Sequence, residues 1–70
     1  MKNPQIHEVL SAKGVTYDEV AKLLEWPLEK LQELATTSKD VSEKELMKIA
    51  NLLDVEISAF FNDNYKKLVN

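Results

Sequence analysis

The stretch TYDEVAKLLEWPLEKLQEL, residues 16 to 34, decides how this chain is read. Thr16 and Glu19 form the T-x-x-E pattern of a capping box, in which each side chain satisfies a backbone N–H at a helix start. Val20, Ala21 and Leu24 follow at spacings of three and four, so they share one face. Pro27 pushes Trp26 out of the helical region, so the helix should end near Glu25. A third helix then restarts with Leu28, Leu31 and Leu34 inward. The result is two short helices around a tight turn, the second with Glu29 and Glu33 facing out.

Working outward, the same grammar recurs on both sides. Upstream, a first helix is expected after Asn3, with Pro4 at its first position, Ile6, Val9 and Leu10 inward, and Gly14 as a left-handed cap. Downstream, TTSKD at residues 36 to 40 has turn composition. Ser42 and Glu45 then repeat the capping-box pattern ahead of Leu46, Ile49, Ala50 and Leu53. Asp54 and Val55 lead to a fifth helix with Ile57, Phe60 and Phe61, and Met47, Phe60 and Phe61 are read as core or dimer contacts. The expected organisation is one domain over residues 1–61 and a polar tail over 62–70. Tyr65, Leu68 and Val69 would extend the last helix or contribute to a homodimer. No segment alternates long enough for a strand, so the fold class is all-α, a compact bundle of five helices.

Composition narrows the function. Seventy residues without cysteine must be stabilised by packing rather than by disulfides or a thiolate metal site. No apolar run approaches the roughly 20 residues that cross a bilayer, and MKNPQIHEVL lacks the blocks of a signal peptide, so a soluble cytoplasmic protein without membrane contact is expected. His7 is the sole histidine, and one glycine gives no phosphate cradle, so neither enzyme chemistry nor a metal or other cofactor is expected. The net charge is −3, and all nine basic residues are lysine. Without arginine the chain lacks the side chain that pairs bidentately with guanine and phosphate.

Residues 5 to 61 resemble the helix-turn-helix domain of phage Cro proteins, phage repressors and Xre-type regulators, with matching spacing throughout. SEKELMKIANLLDVEISAFF carries the strongest likeness, through KIA at residues 48 to 50 and the aromatic pair Phe60 and Phe61. Ala21 matches the small residue where the two motif helices cross, and Leu31 and Leu34 match the apolar positions of the second. The resemblance implies a lambda-repressor-like fold and a transcriptional regulator that binds double-stranded operator DNA as a dimer. On that alignment Glu25 replaces the usual turn glycine, at about 1 kcal/mol if the left-handed conformation is kept. Tyr17 takes the place of a phosphate-binding glutamine, and Leu28, Glu29, Gln32 and Glu33 take the base-reading positions. Lys30, Lys39 and Lys44, with Lys22 and Lys48, would meet phosphates around the rim.

Charge pulls the other way. Residues 16 to 35 hold five carboxylates and two lysines, a local balance of −3 equal to that of the whole chain. Glu25, Glu29 and Glu33 repel one another at four-residue spacing. Glutamine can pair with adenine and glutamate can accept from cytosine, but carboxylates near phosphates are desolvated without a cation. The alternative reading is a helix-turn-helix turned to protein binding, an antirepressor or repressor modulator that docks on a basic partner. An exposed Leu28 would suit such an interface, whereas a Leu28 folded back beside Leu24 and Leu31 would not. Trp26 either fills the space between helices or anchors a partner.

Overall fold

Three helices of this chain end in the same way, and those endings set its course. The structure, a computed structural model, describes residues 4–36 and 41–68. Helix α1 spans Ile6–Lys13, α2 Tyr17–Leu24, α3 Leu28–Thr36 and α4 Glu43–Leu53. After α1, α2 and α4 the chain turns through a left-handed residue: Gly14 at φ 70°, Glu25 at φ 59° and Asp54 at φ 57°. Each turn is closed by paired bonds to the last carbonyls. The amide of Val15 reaches the Leu10 oxygen, that of Trp26 the Ala21 oxygen and that of Val55 the Ala50 oxygen, at 2.9–3.1 Å. This is the Schellman pattern, which satisfies carbonyls the helix leaves open. Only Gly14 is free of steric cost there.

Helix starts follow the sequence less uniformly. Thr16 accepts from the Glu19 amide at 3.1 Å while the Glu19 carboxylate accepts from the Thr16 amide at 3.3 Å, a complete capping box. Ser42 accepts from the Glu45 amide at 3.4 Å, but the Glu45 side chain turns elsewhere, so only half of the second box forms. Pro4 is not the first residue of α1. Helix α1 begins at Ile6, because the Gln5 amide donates to the Phe60 carbonyl at 2.6 Å and Gln5 sits outside helical geometry. The turn expected over residues 36–40 lies largely outside the described residues.

The fifth helix is a correction. Residues Ile57–Phe60 form a 3-10 turn, not an α-helix. The segment is confined between left-handed Asp54 and left-handed Asn62 and Asp63, too short to repay α-helix nucleation. A 3-10 turn stacks residues i and i+3, so Ile57 and Phe60 still point the same way and Phe60 is fully buried. The tail then makes a second 3-10 turn over Asn64–Leu68, packed against α1 and the first turn. Gln5 joins the two ends: its amide nitrogen donates to Asp63 Oδ1 at 2.7 Å, and its side-chain oxygen accepts from the Asp63 amide at 2.9 Å.

Among the described residues there is no strand, and no buried side chain is polar. The core is Ile6, Val9, Leu10, Val20, Ala21, Leu31, Val41, Leu46, Ile49, Ala50, Leu53 and Phe60. Helix α2 packs on α3 and α4, and α1 closes the far side against α3 and both 3-10 turns. No helix among the described residues is long and apolar enough to cross a membrane.

Candidate nucleic-acid interface

Helix α3 is held to the core by one fully buried side chain, Leu31. Leu28, Leu34 and Ala35 are half-buried against that core, and Leu28 therefore folds back onto the apolar stripe rather than standing free in water. The remaining turns of the helix present Glu29, Gln32 and Glu33 to solvent, continued at the turn by Glu25. All four are exposed, and among the described residues no hydrogen bond or ion pair ties the three carboxylates to another group. The Gln32 backbone carbonyl accepts from Thr36 Oγ1 at 2.8 Å, and its side-chain amide has no hydrogen bond among the described residues.

Lys30 does not share that face. Its Nζ lies 3.0 Å from Glu45 Oε2 and 4.6 Å from the Trp26 ring centroid. The ammonium is thus placed between a carboxylate of α4 and the indole that opens α3. Neither contact is worth more than about 1 kcal/mol at a partly exposed site. Together they give Lys30 a fixed local address. Glu45, the residue missing from the second capping box, is here. Trp26 is half-buried and packed on the core, so it fills interhelical space while its exposed part carries the cation.

Tyr17 opens α2 and is also engaged. Its hydroxyl lies 2.7 Å from His7 Nδ1 of α1, with the two rings tilted and their centroids 5.9 Å apart. The hydroxyl donates when the imidazole proton sits on Nε2 and accepts when it sits on Nδ1. Burial, with the nearby Glu8 carboxylate adding to it, pushes the Tyr17 phenol above its usual value of 10.0. A phosphate at this hydroxyl would have to share it with His7. Sequence reasoning gave His7 no role, and a separation of ten positions offered no signal of the pair.

The lysines of the rim fall into three groups. Lys30 is committed, Lys22, Lys44 and Lys48 are exposed, and Lys39 lies outside the described residues. Lys44 stands in the first turn of α4, beside exposed Glu43. So Glu25, Glu29, Gln32 and Glu33 come together on one surface, Tyr17 and Lys44 stand at the starts of neighbouring helices, and Leu28 and Lys30 turn inward or sideways. No cluster of histidine and carboxylates that could hold a metal occurs among the described residues. Searches of protein-family models, curated proteins and solved structures found no match to this chain.

Proposed function

We propose that this chain is a small, non-catalytic transcriptional regulator of the Cro/repressor, Xre-like type, with α2 and α3 as its helix-turn-helix and α3 as the helix that enters the major groove. The supporting observation is the α2–turn–α3 unit itself, in which left-handed Glu25 turns the chain so that Glu29, Gln32 and Glu33 project from one exposed face. Gln32 pairs with adenine and a glutamate accepts from a cytosine amino group. Lys22 and Lys44, both exposed, supply the phosphate contacts, and Tyr17 adds a hydroxyl at the start of α2. A phosphate contact from Lys30 would compete with its contacts to Glu45 and Trp26. With few lysines free, affinity rests on them and falls steeply with salt. Operator half-sites about 34 Å apart are expected for a symmetric dimer.

A specific observation favours a second reading. With Lys30 turned aside, the exposed face formed by the turn and α3 carries Glu25, Glu29 and Glu33 and no cation among the described residues. Such a face suits the basic surface of another DNA-binding protein, and the chain would then act as an antirepressor.

One titration separates the two. Anisotropy of a labelled random-sequence duplex is measured with the protein at low salt and again near physiological salt. Micromolar binding that weakens steeply with salt supports DNA as the ligand. Absence of binding at low salt overturns it. Glu29→Lys with Glu33→Lys sharpens the result, since the double variant should bind nonspecific duplex about tenfold or more tightly if α3 faces phosphates. Under the second reading the same change abolishes partner binding.

A further inference from the structure

A second surface lies on the other flank of α4. Met47 is an exposed large apolar side chain on a helix whose Leu46, Ile49, Ala50 and Leu53 are all buried. Beside it the chain leaves α4 at left-handed Asp54 and runs back along the helix. The result is an open groove of about 390 Å³ between α4 and the first 3-10 turn. Ala50, Val55 and Ile57 line it together with Met47, and Glu43, Asn51 and Glu56 stand at its rim.

The groove is pre-formed in its backbone. The Val55 amide donates to the Ala50 oxygen at 3.0 Å and the Ala59 amide to the Glu56 oxygen at 2.9 Å, which fixes both walls. Met47 is the adaptable part, since an unbranched thioether reshapes to fit what covers it. On α4 the lining runs from Glu43 through Met47 and Ala50 to Asn51, about two helical turns or roughly 12 Å. That length matches a short helix laid alongside, whereas strand addition has no sheet edge among the described residues to extend.

We infer that this groove takes a short amphipathic helix of a partner protein, with leucine-like residues filling it and lysine or arginine along both flanks. Charge decides the flanks, because both charged residues of the lining are carboxylates, Glu43 and Glu56, and no cation lines the groove. Charge also argues against a second copy of this chain in the same place. A two-fold contact sets a patch against itself, which would bring Glu43 and Glu56 toward their own images. The site is separate from α3. Glu45, which meets Lys30 there, and Met47 are two positions apart, so they point about 200° from each other around α4. The inference therefore stands whichever ligand α3 takes.

The probe is a fluorescein-labelled synthetic helix with leucine at every third or fourth position and lysines on both flanks, titrated into the full chain. Amide resonances of Met47, Ala50, Val55 and Ile57 should shift on binding. Met47→Asp, at a position exposed enough to spare the fold, should weaken binding about tenfold or more, as should Glu43→Lys with Glu56→Lys. Glu29→Lys with Glu33→Lys should leave it unchanged. Circular dichroism of each variant confirms that the helices persist. Three results would overturn the proposal: equal binding by the Met47→Asp protein, equal binding of a helix flanked by glutamate, or loss of binding only when α3 is altered. Light scattering adds a fourth, since a dimer converted to monomer by Met47→Asp would give the groove to a second copy.

Discussion

Helices α3 and α4 were written in the same alphabet and are held in opposite ways. Helix α4 buries Leu46, Ile49, Ala50 and Leu53, starts on a Ser42 cap and ends on the Asp54 turn. Helix α3 buries only Leu31 fully, follows Pro27, and meets α4 through the Lys30–Glu45 ion pair. Both repeat apolar residues at three and four, yet the pattern makes one a structural beam and the other a surface pinned at a point. A helix pinned at one point keeps most of its circumference for a partner. The difference is one of supply, because the outward positions of α3 carry carboxylates that meet no partner among the described residues.

The largest test of the comparison is truncation of the pin. Leu31→Ala should cost about 2–5 kcal/mol, a large part of the stability of so small a domain, read as a fall in the urea midpoint. Ile49→Ala on α4 should cost a similar amount. A loss below about 1 kcal/mol for Leu31→Ala would show that α3 is held by its half-buried residues instead. Next come the left-handed turns at which the two helices are entered and left. Glu25→Gly should raise stability by up to about 1 kcal/mol, and Asp54→Gly by less, because aspartate tolerates that conformation better than glutamate. Thermal denaturation of the two variants, compared side by side, orders them.

The caps give smaller effects. Thr16→Ala opens both halves of a closed box and should cost about 1 kcal/mol, whereas Ser42→Ala loses one long bond and should cost less. Equal losses would mean that the second box closes in solution. Last is the lash itself. Lys30→Ala should change stability by no more than about 1 kcal/mol and by less at high salt, while shifting the emission of Trp26, the sole tryptophan. An unchanged emission maximum would remove the cation from the indole face.

What the sequence made legible was local. Gly14, the Thr16 and Glu19 pair, the break before Pro27 and the α4 stripe each depend on residues within a turn or two of one another, and each stands where spacing put it. The left-handed turn at Glu25 was expected only through the family resemblance, while the residues themselves gave a helix end near it. What escaped was set by distance in the chain. Glu45 has the spacing of a box partner, but Lys30 lies within 3.0 Å and draws its carboxylate away from the helix start. His7 looked unemployed until α1 and α2 brought it to Tyr17. Residues 57–60 kept the side-chain directions of a helix while losing its length, since backbone turns at 54, 62 and 63 bound them. Of the candidate site, the outward positions Glu29 and Glu33 were readable from periodicity, Gln32 came only through the family resemblance, and the diversion of Lys30 was not readable.

The bonds between Gln5 and Asp63 have a practical side. Residues 58 positions apart meet through two side-chain hydrogen bonds, which tie the start of α1 to the entry of the second 3-10 turn. Opening the two bonds, as in Gln5→Ala, should therefore loosen the start of α1 and the second 3-10 turn together, read as faster amide exchange in both.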